Sequence, residues 1–118
     1  MRWLGVMALA LLASANLAWA DDAGEAVFRG NCIACHSLTA GINRVGPSLA
    51  AVVGRPAGSI SGYAYSAAMA NSGITWTEDR LDAFLSAPQA VVPGTKMTFM
   101  GLRSPDRRAA LIAYLKSR

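Results

Sequence analysis

Apolar and polar positions alternate in two regimes along this chain. The first is an apolar run from Trp3 to Leu12, preceded by Arg2 and continuing to Ala18-Trp19-Ala20, where Asp21-Asp22 breaks it. A basic start, an apolar stretch and a small-residue end form the pattern of an export signal, so residues 1–20 are expected to be removed after Ala20. If the signal is retained, the same run of 18 residues is a short membrane anchor.

Beyond it the pattern has helical spacing. A first helix is expected from Asp21-Asp22, whose carboxylates suit a helix start, to about Asn31, with Gly24 and Phe28 four apart on one face. A second follows Thr77 as cap, with Glu78 and Asp79 in its first turn and Leu81, Phe84 and Leu85 as its apolar stripe; Pro88 ends it. A third begins at Ser104-Pro105-Asp106 and buries Leu111, Tyr114 and Leu115, with Lys116 and Arg118 at its negative end. The intervening loops are punctuated by Gly and Pro, with short helical turns expected at Leu49–Val53 and Tyr65–Asn71. No convincing period-2 strand is present, which predicts an all-α fold. Three helices with long loops need something apolar to wrap around.

Composition narrows the class. The 118 residues hold 11 basic and 7 acidic side chains; removing residues 1–20 takes away only Arg2 and leaves +3 over 98 residues. That is one small domain, 21–118, with a thin core that a cofactor would help to stabilise. The length excludes a multidomain enzyme and a polytopic membrane protein. Two cysteines exclude a disulfide-dense scaffold, and +3 is no basic stripe for nucleic acid.

Both cysteines and the single histidine fall in one pentapeptide, Cys32-Ile33-Ala34-Cys35-His36. Cys-x-x-Cys-His is a covalent haem attachment sequence. Cysteines three apart at a helix end present both sulfurs to the two vinyl groups of a porphyrin, and the adjacent imidazole reaches the iron. A dithiol redox pair would require a βαβ setting, a zinc site about four ligands, and a disulfide across two residues would be strained and close almost no loop. The second axial ligand must come from Met69, Met97 or Met100 in the mature chain. Met97 ends the turn Pro93-Gly94-Thr95-Lys96, where Thr95 can hold the loop, so it is the candidate; Met69 and Met100 are expected to fill core space. A thioether ligand favours ferrous iron. Taken alone, Arg55 and Tyr65 read as an ordinary surface pair.

With Gly24 and Phe28, Cys32–His36, Gly46-Pro47, Gly54-Arg55, Gly62 with Tyr65, Gly73-Ile74-Thr75-Trp76, Pro93–Met97 and Leu111–Leu115, the chain resembles the class I c-type cytochromes over nearly all of its mature length. The resemblance implies an all-α fold around one covalently attached haem c. Cys32 and Cys35 form its thioethers, His36 is the proximal ligand and Met97 the distal one. It implies that the Pro47 carbonyl accepts a hydrogen bond from the other His36 nitrogen, and that Arg55, Tyr65, Trp76 and Thr95 bond the haem propionates. Gly24 and Phe28 are then expected to pack on Leu111 and Tyr114 where the first and last helices cross.

Three features depart from that family. Phe84 replaces a Tyr that contacts the axial Met in many relatives, and Met69 replaces an Asn. The ring of lysines found in the mitochondrial protein is reduced to Lys96 and Lys116, with Gln89-Ala90 before the ligand loop. Arg44, Arg103, Arg107 and Arg108 supply a modest positive face, so steering towards an acidic partner is expected to be weak.

The resemblance implies a diffusible one-electron carrier of the bacterial periplasm, a monomer rather than an enzyme. It would take electrons from a membrane or periplasmic donor such as a cytochrome complex. An oxidase, peroxidase or photosynthetic reaction centre would accept them, through contacts below about 1,200 Å². Two other readings stand beside it: an open-site haem sensor or peroxidase-like enzyme, and a haem subunit of a periplasmic dehydrogenase or sulfur-oxidising complex.

Overall fold

The computed structural model describes Trp19 and residues 21–118. The export-signal segment otherwise lies outside the described residues.

Helix α1 takes in Trp19 and residues 21–31 among the described residues. Its hydrogen bonding runs on past its end, with Cys32 N–H on the Phe28 carbonyl (2.8 Å) and both Cys35 and His36 N–H on the Cys32 carbonyl (3.0 and 2.9 Å). The pentapeptide is therefore wound on the last turns of a helix. Helix α2, Ala67–Ala70, is capped by the Ser66 hydroxyl, which accepts from Met69 N–H; it realises the turn expected at Tyr65–Asn71. Helix α3, Glu78–Ser86, starts at Thr77 as expected and buries Leu81, Phe84 and Leu85.

Pro88 does end α3, but it also opens a short helix α4, Pro88–Val91. Ala87 breaks the helical path with φ −154 and ψ 81, and the fixed φ of proline suits the first helical position that follows. Helix α5, Pro105–Lys116, begins at the Ser104 cap and buries Ile112 beside the expected Leu111, Tyr114 and Leu115.

The turn expected to be helical at Leu49–Val53 is not helical. Ala51 sits at φ 52, in the left-handed region that a right-handed helix cannot continue through, and the segment makes a tight turn with Val52 N–H on the Leu49 carbonyl (3.2 Å). Among the described residues there is no strand, only an isolated antiparallel bridge between Pro56 and Thr75. That bridge holds Arg55 next to Trp76, whose N–H donates to the Arg55 carbonyl at 2.9 Å.

The first and last helices cross through Gly24. A Cβ there would lie 2.3 Å from the Ala110 carbonyl oxygen and 2.4 Å from Tyr114 Cβ, so only hydrogen fits. Beside this crossing Phe28 meets the Tyr114 ring at 5.9 Å between centroids. A second tie joins α3 to α5: Arg108, with its side chain 11% exposed, donates to Asp82 at 2.7 Å and to the Leu102 and Arg103 carbonyls at 2.8 and 3.0 Å. Among the described residues no helix is long and apolar enough to cross a membrane.

Candidate functional site

The helices and loops enclose a cavity of about 530 Å³, within the roughly 300–1,000 Å³ of small-molecule and cofactor sites. Cys32, Cys35 and His36 line it, and so do Met97 and Met69. Its walls are largely apolar, with Val52, Leu81, Phe84 and Leu111 among them.

His36 is buried, and its Nδ1 lies 2.7 Å from the Pro47 carbonyl oxygen. A carbonyl only accepts, so Nδ1 carries the proton and Nε2 keeps its lone pair. Burial lowers the proton affinity of His36 below its ordinary value, a trend the nearby Arg55 charge reinforces and the Pro47 bond opposes. The imidazole is therefore held neutral with one nitrogen available to a metal. Gly46 fixes the ring plane: a Cβ at this position would meet Cε1 at 2.3 Å, Nδ1 at 2.7 Å and Nε2 at 2.8 Å.

The two cysteines are free thiols, not a disulfide. Burial, followed by the neighbouring Cys35, pushes the Cys32 thiol up to about 11, the opposite of what a reactive redox dithiol requires. No group of three or more His, Cys, Asp or Glu that could hold a metal ion occurs among the described residues, which leaves zinc without a ligand set.

The polar wall has unused hydrogen-bonding capacity. Arg55 donates from Nη1 to the Ser48 and Ala50 carbonyls at 2.9 and 3.0 Å. Its Nε is buried and has no hydrogen-bond partner among the described residues. Burial also pulls Arg55 below the ordinary arginine range. A half-buried cation with an orphaned N–H in a cavity wall suits an anionic group. The Tyr65 hydroxyl accepts from Ile60 N–H at 3.1 Å, leaving its own proton to donate elsewhere. Thr95 is buried, and its Oγ1 accepts from Met97 N–H at 3.4 Å, again with the hydroxyl proton unspent. Trp76 is buried against the Phe84 ring at 4.9 Å. A flat apolar group carrying carboxylates and a metal thus fits the residues present: thiols, a neutral imidazole, a thioether and a polar wall short of acceptors.

The structure thus brings all nine predicted residues to one cavity: Cys32, Cys35, His36, Pro47, Arg55, Tyr65, Trp76, Thr95 and Met97. Met69 lies in its wall, packed against the core, as a space-filling residue should be. Met100 does not fill core space; it is 93% exposed. Up to Met100 the segment is extended and its side chains alternate, so Phe99 faces the cavity and Met100 faces out; Gly101, at φ 112, then breaks the alternation and Leu102 is buried, its N–H on the Leu85 carbonyl at 2.7 Å.

Sequence reasoning missed the roles of four residues. Tyr63 lines the cavity, donates its hydroxyl to the Val45 carbonyl at 2.8 Å and packs edge-on against Tyr65 at 4.8 Å. The ammonium of Lys96 lies 4.6 Å from the centre of the Tyr63 ring and also donates to the Ala64 carbonyl, which ties the ligand loop to the tyrosine loop. Gln89, noted in the sequence only for its lack of charge, donates its amide to the Thr95 carbonyl at 2.9 Å. Gly46 is the fourth. The one available signal was the aromatic pair Tyr63-x-Tyr65 in a glycine-rich loop.

Comparison with known proteins agrees with this geometry. The family model described as cytochrome c matches residues 22–118. The chain is 54% identical over 88 residues to cytochrome c2 iso-2 of Magnetospirillum fulvum, covering 75% of this chain and 92% of that protein. It is 46% identical over 119 residues to cytochrome c2 of Blastochloris viridis, covering 98% and 93%. Among solved structures, cytochrome cH from Methylobacterium extorquens is similar with a TM-score of 0.77 and 45% identity, over 82% of this chain and 97% of that one.

Proposed function

The chain belongs to the cytochrome c family, and from that premise we propose how its own residues serve an electron carrier. It is an electron-transfer protein rather than an enzyme, and its cofactor is covalent haem c. In this reading Cys32 and Cys35 would hold it through thioethers, and His36 and Met97 would be the protein ligands of its iron. When bound, the haem supplies an iron that takes up and releases one electron.

The observation that carries this assignment is His36. Its Nδ1 is committed to Pro47, its face is closed by Gly46, and its Nε2 is left free in the wall of a cavity that Met97 also lines. Pro47 orients the imidazole and raises its basicity as a ligand. Met97 is the softer ligand and favours the ferrous state. Thr95, Gln89 and Lys96 hold the loop that presents it. Arg55, Tyr65 and Thr95 would offer their unspent N–H and O–H groups to its propionates. The apolar walls would keep water from the iron in both oxidation states.

The chain acts in the bacterial periplasm after cleavage at Ala20, as a monomer that meets its donor and acceptor in brief contacts. The leader-like composition of residues 1–20 supports this, as does the similarity to a cytochrome c2 that extends over 98% of the chain. Candidate partners are a cytochrome complex as donor and an oxidase, peroxidase or reaction centre as acceptor.

The test is the optical spectrum of the haem-loaded protein. The ferric form is expected to be low-spin with a methionine–iron charge-transfer band that Met97→Ala abolishes, and the ferrous form is expected to bind carbon monoxide only in that variant. Carbon monoxide binding by the unmodified protein would instead point to an open-site sensor or peroxidase-like enzyme.

A further inference from the structure

We infer that Arg118 is a positioning residue for Arg55, acting through the peptide unit between Ala50 and Ala51, and that it thereby tunes the reduction potential. This rests on the reading of the cavity as the haem site.

The guanidinium of Arg55 is located by two carbonyls, those of Ser48 and Ala50, at 2.9 and 3.0 Å from Nη1. The Ala50 carbonyl shares one planar trans unit with the Ala51 N–H, so the two groups point in opposite directions and turn together. That N–H donates to the main-chain oxygen of Arg118 at 3.1 Å. The same peptide plane is therefore gripped on one side by Arg118 and on the other by Arg55. Rotating it to break either contact breaks both.

This turn needs such a grip. Ala51, at φ 52, is the non-glycine residue with positive φ among the described residues, a conformation that a residue with a Cβ keeps only when its surroundings hold it. Arg118 is itself held at several points. Its N–H donates to the Leu115 carbonyl at 3.1 Å, and its Nη2 reaches both Asp21 carboxylate oxygens at 3.2 Å. Its guanidinium lies 4.3 Å from the centre of the Tyr114 ring. A continuous path thus runs from Asp21 on α1, through Arg118 and the 50–51 peptide, to Arg55 in the cavity wall.

The consequence is electrostatic. A cation held close to the redox centre disfavours the extra positive charge of the ferric state. If Arg118 lets go, the 50–51 peptide is free to turn, Arg55 loses one of its two carbonyls, and the oxidised form gains.

The experiment uses the full haem-loaded chain with Arg118→Ala and, as a milder break of the same clasp, Asp21→Asn. Each is made alone and in an Arg55→Lys background. Amide hydrogen exchange at Ala51 is expected to accelerate in both single variants. The ferrous-to-ferric ratio at a fixed solution potential is expected to fall by about threefold. In the Arg55→Lys background the same changes are expected to add nothing to the shift. Loss of thermal stability with an unchanged potential would overturn the inference, as would a potential shift of equal size with and without Arg55. An unmodified protein that lacks the low-spin spectrum would overturn the reading of the cavity instead, which separates the two failures.

Discussion

Gly46 illustrates what a single residue decides here. Its missing Cβ lets the backbone lie against the His36 imidazole, and a methyl group would come within 2.3 Å of Cε1. Gly46→Ala is therefore expected to tilt the ring off Pro47. Thermal unfolding should show a loss of about 1–3 kcal/mol, and the ferric spectrum should gain a high-spin fraction. Met100 gives the opposite expectation. At 93% exposure, Met100→Gln is expected to change stability by no more than about 0.5 kcal/mol and to leave the spectrum unaltered. The reactive pentapeptide was legible because its chemistry is local: two sulfurs and an imidazole in five consecutive residues. Gly46 and Tyr63 were not, since their roles exist only once distant loops meet, and neither carries a chemical group that announces its partner. Met100 was misread because methionine is ambiguous without knowing that its segment is extended and turns alternate residues outward.

The helices were legible for a comparable reason. Thr77, Ser104 and Pro105 are short-range signals, and the structure places α3 and α5 directly after them. What short-range signals could not show was the left-handed Ala51, which replaces an expected helical turn, or the second use of Pro88 as the start of α4. The joints between elements rest on few atoms. Gly24→Ala drives a methyl group to 2.3 Å from the Ala110 oxygen, a backbone atom that cannot rotate away. The expected cost is about 1–3 kcal/mol, which for a domain of this size lowers Tm by roughly 4–8 °C per kcal/mol. At the α3–α5 joint, Arg108→Ala is expected to cost about 1–3 kcal/mol because it strips donors from two carbonyls as well as the Asp82 pair. Asp82→Ala should cost no more than about 1 kcal/mol, since that carboxylate is half exposed. Paired denaturation curves of the two variants check this ordering.

For the molecule as a whole, the cavity occupies the place of a core. Its 530 Å³ lie between loops that have few partners of their own, so the chain without haem is expected to be largely unfolded. Circular dichroism of the unhaemylated protein should show little helix and no cooperative melt; a native-like transition would contradict it. Charge acts at the same scale. Lys116 is paired with Glu78, and Arg29, Arg108 and Arg118 with Glu25, Asp82 and Asp21, so the surface has little long-range pull. Electron-transfer rates with an acidic partner are expected to fall only gently as ionic strength rises. The contact at Gly24 has a temporal meaning too. It joins the element made first in the domain to the element made last, so a growing chain lacks the surface on which α1 must close. Until Ala110 and Tyr114 arrive, Cys32 and Cys35 stay on an open segment, accessible to whatever machinery attaches the haem. Closure of the crossing is thus expected only once the whole domain has been made.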